Sequence, residues 1–322
     1  GKIDIFSDIR YRRAAEYAFN YQLEPGISPA ISDGNGIPSP KNFMLVRRAW
    51  SDLVSKSAIN IPQYIDYDGG GWNNLSLKYI NTIAFADIPP LPKAKKTENF
   101  SDRSVFPIGQ VWLLRAGKDL SVAVKGGNNN EHHNHNDIGS YYLVSNGKVL
   151  SGDPGGEVYT ARTFSGRRYQ SKVLSSYAHP VPVVDGMLQT TGTKYRAKIV
   201  KTEFTDEKDI IVLDITRAYN VKHLVSLVRT FEFDRKNKEF RVTDCVKFSK
   251  PSKFQDVYTT FEGKKFAKPN VSVIVKKGGE IKESSEFIDN PNRNEPTRHV
   301  ITFDNLVTEA ELTLIFKSQD YK

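Results

Sequence analysis

Two hydrophobic rhythms divide this chain. After Asp8, the run Ile9-Arg10-Tyr11-Arg12-Arg13-Ala14-Ala15-Glu16-Tyr17-Ala18-Phe19 repeats its apolar residues at three and four positions, the period of an amphipathic helix. A second helix is predicted to open at Ser39-Pro40, with Phe43, Leu45, Val46, Ala49, Trp50, Leu53 and Val54 as its apolar stripe. A third covers about Asn74 to Phe85. The loops Pro25 to Pro38 and Ile61 to Trp72 are long for a compact helical domain, so these helices read as the remnant of a larger helical layer. Pro89-Pro90-Leu91-Pro92, followed by the charged stretch Lys93 to Asp102, has the composition of a linker.

Past that linker the grammar becomes that of strands. Short apolar segments follow one another at Val111–Leu114, Ser121–Val124, Tyr141–Val144, Val181–Val184, Ile210–Leu213, Val225–Val228 and Phe240–Thr243. Val257–Thr260, Val271–Val275, His299–Phe303 and Leu312–Phe316 continue the series. So many short strands at close spacing predict a mainly β fold, with antiparallel sheets stacked as a sandwich. The division expected is a helical segment over 1–88, a linker over 89–103 and a β-sandwich over 104–322.

Composition narrows this picture only a little. A chain of 322 residues with 39% hydrophobic content can bury a substantial core. It contains no apolar stretch long enough to span a bilayer, and Gly1-Lys2-Ile3-Asp4 carries no signal-peptide core. The start at Gly1 reads as a processed or recombinant one, the visible chain being a piece of a longer exported protein. The single cysteine, Cys245, allows no internal disulfide and is expected to be a core thiol between Val242 and Val246. A net charge of +9 and a pI near 9.3 favour acidic partners: nucleic acid, anionic lipid or acidic polysaccharide. Nucleic acid fits least, because Lys93-Ala94-Lys95-Lys96, Arg167-Arg168 and Lys264-Lys265 form neither a long basic run nor a recognisable motif.

The densest chemistry lies in Glu131-His132-His133-Asn134-His135-Asn136-Asp137, which holds three of the six histidines. It follows the Gly126-Gly127-Asn128-Asn129-Asn130 turn. Read as an extended lead into the Tyr141 strand, it sends His133 and His135 to one face and His132 to the other. Neutral imidazoles can hold a metal ion or exchange protons near neutral pH. Asp153 ends an apolar strand against a glycine-rich turn, as an inward carboxylate or as a plain turn cap. His179 stands at the mouth of the Val181 strand. Together, His135, Asp153 and His179 form a nitrogen and oxygen set that suits zinc, with water or a fourth ligand completing the shell. A cupin reading would use His133 and His135, but Gly139 and Ser140 occupy the positions where its glutamate belongs. Asp137 is placed to orient His133 or His135 from behind. Between two of the proposed ligands, Tyr159, Arg167, Arg168 and Tyr169 are candidates to bind an acidic sugar, arginine because its fork matches a carboxylate or sulfate. Asp185-Gly186 reads as a hairpin turn.

Taken in order, Val105-Phe106-Pro107, Trp112-Leu113-Leu114-Arg115, Lys125-Gly126-Gly127, His133-Asn134-His135-Asn136-Asp137-Ile138-Gly139-Ser140, Gly152-Asp153-Pro154-Gly155 and His179 to Gln189 resemble the heparinase II/III-like family of polysaccharide lyases. The likeness is close from Ser104 to Thr190; the later strands agree in character with that family's C-terminal sandwich. The resemblance implies that His133 faces substrate while His135, Asp153 and His179 hold a structural, site-organising zinc. It implies β-elimination at a uronate: the C5 proton leaves, the carboxylate charge is neutralised, and the C4 oxygen departs with a proton. It also implies that the helices before Ile88 are the last turns of a truncated α/α toroid, whose missing part supplies a tyrosine and an asparagine or histidine. A bacterial, periplasmic or secreted enzyme acting on glycosaminoglycan or another uronate polymer is the expectation that follows. The rival from another class is a non-catalytic carbohydrate-binding sandwich stiffened by a metal, and a metal-dependent oxygenase or hydrolase is third.

Overall fold

The computed structural model describes Ile9, Tyr17, residues 20–34, Gly36 and residues 101–318. Ile9, Tyr17 and Asn20 are helical, whereas the helices expected over 43–54 and 74–85 and the linker at 89–100 lie outside the described residues. Two compact units are present, one of Gly1–Ser28 with Ile37–Phe100, the other of Pro29–Gly36 with Ser101–Lys322. The short segment Pro29–Gly36 thus belongs with the strands, far from them in sequence. Among the described residues, no helix is long and apolar enough to cross a membrane.

The second unit is mainly β. Its strands are β1 (Arg103–Phe106), β2 (Val111–Ala116), β3 (Leu120–Lys125), β4 (Asn128–Asn129), β5 (Tyr141–Ser145), β6 (Lys148–Gly152), β7 (Val183–Val184), β8 (Gly192–Arg196) and β9 (Lys198–Phe204). The remainder are β10 (Lys208–Asp214), β11 (Leu224–Asp234), β12 (Glu239–Ser252), β13 (Phe254–Phe261), β14 (Asn270–Lys277), β15 (Ile281–Phe287), β16 (Pro296–Phe303) and β17 (Val307–Lys317). They pair antiparallel into a five-stranded sheet, β1-β2-β3-β5-β6, and a six-stranded sheet, β14-β17-β12-β11-β10-β9. A four-stranded sheet, β15-β16-β13-β7, and the two-stranded β4-β8 complete the unit.

The two large sheets meet in one core, as expected of a sandwich. Trp112, Leu114, Val122 and Leu143 from one sheet lie in the same cluster as Leu213, Phe231, Phe240 and Phe316 from the other. Tyr141 presents its ring edge-on to Phe240 and Phe316, with centroids 5.3 and 5.6 Å away. β3 and β5 are buried along their whole length, which explains why they read as continuous apolar runs, while β11 alternates buried and partly exposed residues. Asn146-Gly147 and Asp185-Gly186 both have positive φ at each residue, the left-handed pair that closes a tight hairpin.

Some strands carried no signal in the sequence. β9 is exposed at all seven residues, and β15 is exposed along most of its length at a sheet edge, so neither needs an apolar rhythm. Conversely, of the apolar stretch Val181–Val184 only Val183 and Val184 form a strand. Cys245 is half-buried rather than a core thiol: the alternation of β12 turns Asp244 and Val246 inward and leaves Cys245 on the outer face.

Candidate active site and metal centre

The histidine segment is not extended. β3 ends at Lys125, and residues 130–140 form a sequence of turns before β5 begins, with His133 itself at φ +55°. The alternation expected of a strand therefore does not apply. Backbone bonds fix the loop instead: Asn136 donates to the Leu174 carbonyl (3.1 Å), Gly139 to Lys125 (2.9 Å) and Ser140 to Asp137 (3.0 Å). His132 and His133 are exposed, and Asn134 through Ser140 are buried.

His133 and His135 nevertheless address one site, through a carboxylate about a hundred residues upstream. Asp33 Oδ2 accepts from His133 Nδ1 (2.8 Å) and from the Tyr159 hydroxyl (2.8 Å). Its Oδ1 accepts from His135 Nε2 (3.0 Å) and Arg168 Nη2 (3.0 Å). An ionised carboxylate offers about four lone-pair positions, and here all four are taken by donors. Burial pushes Asp33 up, but the bonds from His135, Tyr159 and His133 outweigh it, and the group is held below the ordinary carboxylate range. Burial first, and then the hydrogen bond to this carboxylate, raise Tyr159 to about 12. A saturated acceptor also fixes the tautomers. His133 carries its proton on Nδ1 and leaves the Nε2 lone pair free on a side chain 63% exposed. His135 carries its proton on Nε2, which turns the Nδ1 lone pair inward toward Asp153, 3.9 Å away.

Asp33 reaches this position because Pro29–Gly36 lies against the Asp153 turn. Gly156 donates to the Gly34 carbonyl (3.4 Å), and at Gly155, with φ +72°, any Cβ would overlap that carbonyl oxygen. Asp153 itself directly follows β6 and accepts from the Gly155 amide (2.8 Å) through Oδ1. So it does cap its turn, and it also points inward, because Oδ2 lies 3.2 Å from His179 Nδ1.

His135, Asp153 and His179 are fully buried, and their ligand atoms lie within 4.8 Å of one another. His179 Nε2 donates to the Val173 carbonyl (2.9 Å), so its Nδ1 also presents a lone pair. His135 Nδ1, Asp153 Oδ2 and His179 Nδ1 have no hydrogen-bond partner. Three buried acceptor atoms facing one another are costly unless a cation joins them. The field acts in that sense on His179, which burial pushes down and Asp153 pushes up further. The donor set and the orphaned atoms fit a bound metal ion.

Two buried ion clusters hold the loops that carry these ligands. Lys125, at the end of β3, pairs with Asp137, so Asp137 braces the loop from β3 and bonds to neither histidine. Burial lowers Lys125, yet Asp137 and Glu131 outweigh it and keep the ammonium charged. Arg229, on β11 and wholly buried, bonds both oxygens of Asp244 (2.9 and 2.6 Å) and Asp256 Oδ1 (2.8 Å). Its Nη1 donates to the carbonyls of Gly139 (2.9 Å) and Pro180 (2.7 Å), one just beyond the histidine loop and the other just beyond His179.

Of the residues expected to bind an acidic sugar, Tyr159 and Arg168 converge on Asp33. Arg168 also donates to the carbonyls of Asn134 (3.2 Å) and Thr163 (3.3 Å). The Tyr169 hydroxyl bonds the Asn134 carbonyl (3.2 Å), while Arg167 is exposed and takes no part in these bonds.

The family model described as heparinase II/III-like, C-terminal, matches residues 101–313. The chain belongs to the heparinase II/III-like family. This heparinase II/III-like chain also resembles solved structures in fold. Against the heparinase III BT4657 gene product the TM-score is 0.61 at 20% identity, covering 95% of this chain and 46% of that one. Heparan sulfate lyase HepC from Pedobacter heparinus gives 0.61 at 15%, covering 94% and 46%, and a crystal structure of heparinase III gives 0.54 at 14%, covering 97% and 57%. The chain spans about half the length of these structures. No curated protein matches it.

Asp33 and Arg229 carried no readable signal. Asp33 precedes Gly34 in a loop rich in proline and glycine, where an aspartate ordinarily makes a turn. Arg229 interrupts an apolar strand, which marks it only as a break in alternation. Lys125, charged at the end of Val122-Ala123-Val124, is a signal that could have marked a buried partner.

Proposed function

We propose that this chain is the C-terminal part of a polysaccharide lyase that cleaves a uronate-containing polymer by β-elimination. The observation that carries the reading is the Asp33 carboxylate, which leaves His133 with a free, exposed Nε2 lone pair beside a protonated tyrosine. His133 Nε2 takes the uronate C5 proton, the C5–H electron pair becomes the C4–C5 double bond, and the C4–O bond breaks as a proton passes to the leaving oxygen. Tyr159, raised to about 12, keeps its hydroxyl proton at neutral pH and is a donor next to His133. Arg167 is the guanidinium free to meet a substrate carboxylate or sulfate; Arg168 acts by holding Asp33 and the Asn134 carbonyl, with Tyr169 on the same carbonyl. Further partners come from the helical portion, and a polymeric substrate places the enzyme in the periplasm or outside the cell.

The metal is proposed to be zinc, held by His135 Nδ1, Asp153 Oδ2 and His179 Nδ1, in keeping with a nitrogen and oxygen donor set. When bound, zinc would supply a fixed positive charge that organises the loops. About one zinc per chain is expected, lost in His135→Ala, Asp153→Ala and His179→Ala. Asp33→Asn should weaken zinc retention about 10- to 100-fold, because the carboxylate orients His135 from behind. Metal analysis after dialysis against a graded chelator reads both, and full zinc occupancy in all three ligand variants would refute the site.

The test of function is turnover of the zinc-loaded, full-length protein on heparan sulfate, alginate and other uronate polymers, followed by the ultraviolet absorption of the unsaturated uronate formed. Binding of these polymers with no unsaturated product from any would overturn the lyase reading in favour of a carbohydrate-binding sandwich.

A further inference from the structure

A second cationic feature lies on the same unit, and the histidine site does not use it. A cavity of about 700 Å³ is lined by Gln110, Arg196, Ala197, Lys198, Asp214 and Arg217 among others. That volume falls in the range of ligand clefts, about 300–1,000 Å³. Arg196, Lys198 and Arg217 are exposed, and none makes a side-chain hydrogen bond or ion pair among the described residues. Surface arginines on this protein are otherwise often engaged, as Arg162 is with Glu157 and Arg241 with Glu239. The single carboxylate in the cavity wall, Asp214, accepts from the Thr216 amide (2.9 Å) and so closes its own turn. Three cations share this wall with one carboxylate, an excess of positive charge that a bound anion relieves.

The cavity is tied to the histidine loop by covalent and hydrogen-bonded continuity. Just before β8, Thr191 Oγ1 accepts from Asn136 Nδ2 (3.1 Å), inside the loop. At the other end of β8, Arg196 pairs with Asn128, and the next residue, Ala197, donates to the Gly127 carbonyl (2.9 Å). Gln110, in the cavity wall, accepts from the Gly127 amide (3.0 Å). From Thr191 to Arg196 an extended chain covers about 16 Å at 3.3 Å per residue. Exposed cations recur at every second position, Lys194 and Arg196 on β8 and Lys198 at the start of β9, a row that leads from the histidine loop to the cavity. The 3₁₀ turn Thr216–Ala218 carries Arg217 into the same cavity wall and is fastened beside the start of β8, where the Thr190 amide donates to the Ala218 carbonyl (2.9 Å).

We propose that this cavity is an anion-binding exosite, in which Arg196, Arg217 and Lys198 grip a sulfate or carboxylate group of an acidic polysaccharide several sugars away from the histidine loop. The proposal rests on the acidic-polysaccharide reading of that loop and adds a second point of attachment. Two guanidinium forks suit planar or tetrahedral oxyanions, and Lys198 adds a point charge.

The test is calorimetric binding of a heparin octasaccharide and of an unsulfated alginate octasaccharide to the full-length protein and to Arg196→Gln/Arg217→Gln. The charge-matched control is Lys264→Gln/Lys265→Gln, exposed lysines just after β13 that, like the cavity cations, have no side-chain partner among the described residues. All four side chains are exposed, so thermal melting should stay at the wild-type value. Binding about tenfold weaker or more in the arginine variant, with the control within about twofold, is expected. Loss confined to heparin assigns sulfate as the gripped group, and equal loss for both sugars assigns carboxylate. Equal weakening in control and cavity variants, or none in the cavity variant, would overturn the exosite. Failure of the lyase reading is separable: a protein that binds through the cavity but forms no unsaturated uronate loses the activity and keeps the exosite.

Discussion

His133→Ala should lower turnover of a uronate polymer about 10²- to 10⁴-fold, the usual contribution of a positioned proton-transfer group, with folding and metal content unchanged. The specificity of that loss follows from placement. His133 is largely exposed, bonds Asp33 and Tyr159 among the described residues, and lies outside the buried set of His135, Asp153 and His179. Removing it opens no core cavity and takes away no ligand. Asp33→Asn should behave differently, because one carboxylate bonds both histidines. Its turnover should fall together with its hold on zinc. Comparing kcat with metal content in the two variants separates a proton-transfer role from a structural one, and wild-type turnover in a folded, zinc-loaded His133→Ala protein would end the lyase mechanism drawn here.

Arg229→Met should cost about 3–5 kcal/mol of unfolding free energy, the range for breaking a buried ion pair from one side. Burial and the neighbouring charge of Asp244 push Asp256 well above the ordinary carboxylate range, so the guanidinium charge answers chiefly Asp244. Methionine fills a similar volume but leaves that charge unpaired and orphans the carbonyls of Gly139 and Pro180. Urea unfolding measures the loss. The double variant Arg229→Met/Asp244→Leu should recover much of the stability, since an apolar replacement of the whole pair can be near neutral. It should still bind zinc more weakly than wild type, because the two carbonyl anchors beside the ligand loops are gone. Wild-type zinc retention in the double variant would show that Arg229 serves the core alone.

Much of the architecture was written into the chain because it depends on local periodicity. A strand buried on one or both faces must repeat its apolar residues, so β2, β3, β5, β11 and β17 were visible in outline. β9 and β15 were not, since an exposed edge strand is held by backbone hydrogen bonds that any side chain permits. The grouping of His135, Asp153 and His179 was also legible, because two histidines and an aspartate close to apolar strands make a nitrogen and oxygen donor set. The loop conformation was missed, because an alternating pattern carries no record of a left-handed residue such as His133.

The sequence by itself determined a mainly β sandwich and a set of potential ligands, which follow from residue type and spacing along the chain, and a resemblance to one family, carried by an ordered series of short strings. The tertiary structure alone decided which groups meet. It brought Asp33 across about a hundred positions onto two histidines, buried Arg229 against the carbonyls that flank the ligand loops, and gathered Arg196, Lys198 and Arg217 around one cavity. Such pairings are set by how sheets stack and loops close, and a carboxylate or guanidinium looks the same in sequence whether its partner is water or a buried charge.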